Sequence, residues 1–190
     1  METMIKRIFD FSLSIVSLII LSLPMLVIAV AIKFSSVGPV LFWSDRIGLH
    51  NKVFRMPKFR TMKLGTPNVA THLLSNPDAY RTAVGSFLRK YSLDELPQLF
   101  SIIYGDMSFV GPRPALFNQE DLIQLRTKFG IHKHMPGLTG WAQVNGRDNI
   151  PIVRKVEFDH DYALHQNFWV DIKILWITFT KVITKSNISH

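Results

Sequence analysis

The sequence predicts an α+β, mostly helical fold in two units: a re-entrant membrane hairpin helix over residues 1–34 and a membrane-associated domain over residues 35–190. Three observations predict it. Phe11 to Ile32 is a run of 22 residues without a formal charge, interrupted by Pro24. Short extended segments flank a turn at Gly48 to Asn51, which reads as a small β-hairpin. Downstream, apolar residues recur at three- and four-residue steps in several separate stretches, the signature of amphipathic helices.

At 190 residues the chain is long enough for one compact domain with its own core. The formal charge of +8 and an isoelectric point near 9.9 call for an anionic neighbour: nucleic acid, acidic lipid or a phosphorylated substrate. The chain has no cysteine, which excludes disulfides, thiolate nucleophiles and cysteine-ligated zinc. Hydrophobic residues make up 47% and the mean hydropathy is +0.17, so part of the apolar surface is expected to meet lipid.

The first element is the apolar segment. Its length suits a single membrane span, but Pro24 lacks an amide hydrogen for the carbonyl of Ile20 and its ring crowds that turn, which favours a kink. Ser22 stands two residues earlier, where its hydroxyl can satisfy a freed backbone group. Lys6 and Arg7 precede the segment, and Arg46, Lys52, Arg55, Lys58, Arg60 and Lys63 follow it, so both flanks look cytoplasmic. A re-entrant helix broken at Pro24 meets both constraints, and a kinked spanning helix remains its rival. A cleaved signal peptide fits poorly, because no small-x-small site follows the run.

Next, Val40 and Phe42, then Val53 and Phe54, form the two arms of the hairpin. Residues 63–78 are loop-like, with Gly65, Pro67, Asn68, Asn76 and Pro77, and offer either a substrate lid or a plain surface loop. From Ala79 to Tyr104 the pattern is helical, interrupted at Pro97. Ser92 and Glu95 have capping-box spacing, which gives Glu95 a structural role to set against a chemical one. Asn118 to Phe129 reads as a helix closed by Gly130. Residues 134–147 are too glycine-rich for regular structure, and Gly137, Gly140 and Gly146 allow close backbone approach to a ligand. Phe168 to Lys185 places Trp169, Ile172, Trp176, Phe179 and Ile183 at helical spacing among lysines, which fits an interfacial helix or a packed core helix.

The chemistry concentrates in residues 92–114. Adjacent carboxylates, Asp94 and Glu95, precede a turn that holds Arg113 between two prolines. An aspartate can attack phosphorus, a glutamate can hold a divalent cation, and an arginine can grip phosphate oxygens through paired hydrogen bonds. Taken alone, an adjacent acid pair more often marks an ordinary solvated helix face. His132 and His134 have a His-x-His spacing but no supporting carboxylate or cysteine motif for a metal site.

Together the motifs are more specific than any one of them. KRIFD (6–10), the apolar segment, GPVLF (38–42), KFRTM (58–62), SLDELPQL (92–99), GDMSFVGPRP (105–114) and PGLTGWAQVNGR (136–147) follow one another in an order that resembles the bacterial sugar transferase family. These are monotopic phosphoglycosyl transferases, and the chain resembles their minimal, catalytic-core form of the bacillosamine-phosphate transferase type. The resemblance implies transfer of sugar-1-phosphate from a UDP-sugar to polyprenyl (undecaprenyl) phosphate, with release of UMP, at the cytoplasmic face of the bacterial inner membrane. Asp94 would then be the nucleophile that forms a covalent aspartyl-phosphosugar, Glu95 would help to hold Mg2+, and Arg113 would bind phosphate. Lys58, Arg60 and Arg147 are further candidates for phosphate, or are surface cations facing lipid headgroups. The short architecture points to an N-acetylated amino sugar, with galactose or glucose as alternatives. The family's helix break is a Ser-Pro step, whereas here Leu23 separates Ser22 from Pro24. Glu157, Asp159 and Asp161 form a second acidic cluster with a structural or sugar-recognition role. A membrane-attached basic binding module for anionic lipid or nucleic acid accounts for the charge and the apolar segment but not for the ordered motifs; no nucleic-acid partner is expected.

Overall fold

The computed structural model describes residues 4–67, 76–146 and 150–183. Much of the expected loop (residues 68–75), Arg147 and Lys185 lie outside them.

The apolar segment forms one helix, α1, over Met4–Ser35. It is continuous through Pro24, so the break expected there is a proline inside one helix and not an interruption of it. The physical reason is local: Pro24 removes one helical hydrogen bond, and the turn before it is reinforced where the Ser22 hydroxyl donates to the Ile19 carbonyl at 2.8 Å. α1 has two apolar faces. Leu13, Leu18, Leu21, Met25, Ile28 and Ile32 pack on the rest of the protein. Ile8, Ile15, Ile19, Leu23, Leu26 and Val30 form an exposed stripe along the opposite face.

The predicted hairpin is present as β1, Leu41–Ile47, antiparallel to β2, Val53–Phe59. Its register runs from Leu41 opposite Phe59 to Ile47 opposite Val53, and its turn carries His50 and Asn51 in left-handed conformation. Pro57 sits opposite Trp43 and is tolerated because the sheet has only two strands, leaving the missing amide at an edge.

The helical pattern from Ala79 to Tyr104 resolves into separate pieces. A short helix, α2 (Pro77–Tyr80), is followed by α3 (Ala83–Lys90) and α4 (Gln98–Tyr104), with a single 3-10 turn over Leu93–Glu95 between the last two. Thr82 caps α3 by accepting the Gly85 amide at 2.9 Å. A Cβ on Gly85 would collide with the main chain of Thr61, so glycine here lets α3 seat directly on the segment after β2. Tyr91 closes α3, and Ser92 turns the chain in left-handed conformation. α4 starts behind Pro97 and stops at Gly105, which also takes a left-handed conformation.

β3 (Ser108–Val110) pairs in parallel with β4 (Gly137–Thr139), and the crossover between them contains α5 (Glu120–Lys128). The glycine-rich run is therefore more regular than its composition suggests: it supplies β4 and then α6, Trp141–Asn145. The chain finishes with α7 (Ile152–His165) and α8 (Phe168–Ile183).

Three apolar clusters hold these elements. The largest joins Ile102 of α4, Met107, Val110 of β3, Tyr162 of α7 and Ile174 of α8 beneath α1. Full burial of side chains such as Ile102 and Ile174 contributes roughly 1.5–3 kcal/mol each. A second cluster packs α5 on α7 through Leu122 and Val156, and a third ties Ile32 of α1 to Phe59 of β2 and Leu88 of α3. On α8, Asp171 and Ile174 face inward while Trp169, Trp176 and Phe179 remain exposed. Lys173 lies over the Trp141 ring and Lys181 donates to the Val144 carbonyl, so these two lysines bind the body of the protein.

Candidate active site

Four elements build the surroundings of the acid pair. The 3-10 turn supplies Asp94 and Glu95, β2 supplies Lys58, α3 supplies Arg89, and the loop after β3 supplies Arg113. Glu95 Oε1 accepts from Lys58 Nζ at 2.7 Å and from Arg113 Nη2 at 2.9 Å. This overturns the capping-box reading: Ser92 makes no side-chain cap, and Glu95 is drawn into a tertiary ion-pair network instead. Two charge-assisted bonds in a desolvated site outweigh one local backbone bond.

The electrostatics follow from burial. Desolvation alone would raise the Glu95 pKa, but Arg113 and Lys58 outweigh it and hold the carboxyl well below its usual range, so Glu95 is ionised. Burial lowers the Lys58 pKa, with Glu95 opposing the effect and Arg113 adding to it. Arg89 is lowered by burial too, with Asp94 the largest influence in the other direction, and its Nε donates to the Thr61 hydroxyl at 3.0 Å. Asp94 itself is buried at 7% exposure, whereas the Arg113 side chain keeps 33% and remains within reach of a ligand.

The loop bearing Arg113 is fixed by its backbone. The Gly111 amide donates to the Thr139 carbonyl and the Gly137 amide to the Pro112 carbonyl, both at 2.9 Å. A Cβ on Gly111 would strike the Met135 carbonyl, so only glycine allows this approach. Pro112 and Pro114 restrict the residues on either side of Arg113.

Among the sequence candidates, Asp94, Glu95, Lys58 and Arg113 are brought together. Arg60 is not. β2 ends at Phe59, and the Arg60 guanidinium donates to the carbonyls of Val37 at 2.6 Å and Ser36 at 2.8 Å, tying the end of α1 to the hairpin. Arg147 lies outside the described residues. Of the second acidic cluster, Asp159 pairs with Arg126, Glu157 with Arg154 and Asp161 with His165. Arg89 and Arg46 are not among the site residues expected from the sequence, where Arg46 figures only as a flanking cation. Arg46 bonds Ser44 and the Pro114 carbonyl and adds positive potential at Lys58. The available signal for Arg89 was a basic last turn of helix immediately before the acid pair.

No cluster of three or more metal-ligating side chains occurs among the described residues. Glu95 is the carboxylate that would hold a divalent cation: its bonds from Lys58 and Arg113 both fall on Oε1, and Mg2+ is commonly held by one or two carboxylates together with substrate phosphates.

A largely buried acid pair beside a guanidinium on a fixed loop, with Lys58 paired to the same glutamate, is an arrangement suited to an anionic ligand. The family model described as bacterial sugar transferase matches residues 1–185, and the chain belongs to that family. It is 42% identical, over 94% of its length, to the UDP-glucose:undecaprenyl-phosphate glucose-1-phosphate transferase of Escherichia coli K12, covering 40% of that protein. It is 39% identical over 98% of its length to the uncharacterized sugar transferase EpsL of Bacillus subtilis 168, covering 91% of that chain. It is also 35% identical over 95% of its length to the UDP-N-acetylgalactosamine-undecaprenyl-phosphate N-acetylgalactosaminephosphotransferase of Aeromonas hydrophila, covering 44% of that protein. The chain thus spans about two fifths of the length of the relatives from Escherichia coli and Aeromonas hydrophila.

Proposed function

We propose that the chain transfers sugar-1-phosphate from a UDP-sugar to undecaprenyl phosphate through a covalent intermediate on Asp94. The observation that carries this reading is the convergence of Lys58 and Arg113 on Glu95 in the buried Asp94–Glu95 turn, with Arg89 close enough to feel both carboxylates. In the first step an Asp94 carboxylate oxygen attacks the phosphorus that bears the sugar. The bond from that phosphorus to the bridging oxygen breaks, and UMP leaves with the electron pair. In the second step a phosphate oxygen of undecaprenyl phosphate attacks the same phosphorus and displaces Asp94, giving undecaprenyl diphosphate sugar.

Both steps bring anion to anion, so the opposing charge must be offset before the nucleophile can approach. Arg113, partly exposed on its rigid loop, grips the diphosphate, and Lys58 and Arg89 supply further positive potential at the acid pair. Mg2+, when bound through Glu95, supplies further neutralisation of phosphate charge. Splitting the transfer in two lets one small site serve two large anionic substrates in turn.

Membrane attachment fits the same reading. At its start α1 is bonded into the protein through Lys6 and Asp10, and at its end through Ile32 and the carbonyls held by Arg60. A span would carry one end across roughly 30 Å of hydrocarbon, and here both ends belong to one body. We therefore place α1 as a re-entrant element that enters and leaves on the cytoplasmic face, its exposed stripe in lipid. Exposed Trp169 and Trp176 on α8 suit the headgroup layer. Because the chain lacks cysteine, Glu2→Cys and Lys128→Cys are clean probes. Both should react only with reagent on the cytoplasmic side; labelling of Glu2→Cys from the far side would contradict the placement.

For the donor, an N-acetylated amino sugar is the first candidate and glucose the second, in keeping with relatives named for each class. UMP release from a panel of UDP-sugars, with undecaprenyl phosphate and Mg2+, tests both reaction and donor. Turnover of one acetamido sugar well above the hexoses is expected; release from none of the panel would reject the reaction.

A further inference from the structure

We infer that Arg126, held by Asp159, is a positioning residue that sets the Arg113 guanidinium for phosphate; the inference rests on the phosphate-gripping role proposed above for Arg113. Arg126 lies on α5 and Asp159 on α7, both buried and neither touching the acid pair. Arg126 Nε and Nη2 both donate to Asp159 Oδ2, at 3.0 and 2.6 Å. Its remaining terminal nitrogen, Nη1, donates to the main-chain carbonyl of Arg113 at 2.7 Å.

The guanidinium is a rigid planar fork, so fixing two of its nitrogens on Asp159 fixes the direction of the third. That third bond ends on the residue whose own side chain reaches Glu95 at 2.9 Å. The flanking residues of the loop are tied by other means: Gly111 and Pro112 through β4, and the Pro114 carbonyl by Arg46 Nη1 at 3.2 Å. Arg126 thus completes the restraint at the one position that carries the phosphate-binding side chain.

The energetics argue for orientation over stability. A buried ion pair often gives no net stabilisation compared with apolar residues of similar size. Here the desolvation is severe: Asp159 is 1% exposed, burial raises its pKa against the pull of Arg126, and its Oδ1 has no hydrogen-bond partner. A costly pair aimed at a catalytic loop is best explained by what it aligns.

The test compares four full-length proteins in detergent or nanodiscs: wild type, Arg126→Met/Asp159→Leu, Arg113→Ala, and the three changes combined. The donor is UDP-glucose or UDP-N-acetylgalactosamine, whichever turns over. The Met/Leu pair removes both charges together, so the thermal midpoint should stay close to wild type. We expect its KM for the donor to rise by about 10- to 100-fold, as misplacement of a positioning group does, with a smaller change in kcat. In the Arg113→Ala background the same pair should add almost nothing, because its effect runs through Arg113. A folded Met/Leu protein with unchanged KM overturns the inference, as does an effect that adds fully to that of Arg113→Ala. If Arg113→Ala alone leaves KM unchanged, the phosphate-gripping role fails first and this inference with it. Should the Met/Leu pair fail to fold, Arg126→Lys, which keeps a charge opposite Asp159 but loses the fork, must raise KM in the same way or the inference is overturned.

Discussion

Replacing Asp94 with asparagine is expected to abolish UMP release, with a loss of at least about 1,000-fold, on the order of what removing a covalent nucleophile costs. The substitution is nearly isosteric and removes the negative oxygen that attacks phosphorus. Asp94 is buried in a 3-10 turn whose neighbour Glu95 is held by Lys58 and Arg113, so the fold around it has separate anchors. Activity should therefore fall far more than stability. UMP release and thermal unfolding measured on the same preparation check this. Full activity in the Asp94→Asn protein would reject Asp94 as the nucleophile.

The largest expected effect on stability comes from Lys6→Ala. Lys6 Nζ donates to Asp171 Oδ2 at 2.6 Å and to the Val110 carbonyl at 3.1 Å, while Asp171 Oδ1 accepts from the Tyr162 hydroxyl at 2.7 Å. One buried network thus clamps the first turns of α1 onto β3, α7 and α8. Truncating Lys6 leaves the Asp171 carboxylate buried without its cation, a loss of about 3–5 kcal/mol. Against a typical total of about 5–15 kcal/mol this is a large fraction. The thermal midpoint in detergent should drop markedly, and Lys6→Met combined with Asp171→Leu should recover much of it, because both charges then leave together. A Lys6→Ala protein as stable as wild type would show that the N-terminal clamp does not hold α1.

The β-hairpin was legible in the sequence because two short apolar runs flank a turn from Gly48 to Asn51, and that local pattern survives as β1 and β2. The helices α5 and α8 were legible for the same reason: periodicity and stop signals agree with the packing. Illegible features were those decided at a distance. Residues 79–104 keep a helical period, yet left-handed Ser92 and Pro97 divide them and create the tight turn that presents Asp94. Glu95 has the spacing of a cap residue, but Lys58 and Arg113 approach from other elements and claim it. Arg60 shares its sequence neighbourhood with Lys58 and yet serves α1, because β2 ends between them. In the glycine-rich run, composition concealed β4: its glycine is there so that another backbone can pair closely beside it.

The same holds within the candidate site. The acid pair and the Pro-Arg-Pro turn stand out locally, and Arg89 is marked only by its place in the last turn of α3, whereas the Arg126–Asp159 pair behind the loop emerges only when helices far apart in sequence pack. Identity of the chemical groups was readable; the restraint that makes them a site was not.

The covalent step is tested most directly by incubating the protein with UDP-sugar and Mg2+ in the absence of undecaprenyl phosphate. A burst of UMP equal to the enzyme present is expected, together with a sugar-phosphate mass increment on the peptide containing Asp94 that disappears when undecaprenyl phosphate is added. Release of UMP only when the acceptor is present, with no modified peptide, would contradict the covalent step.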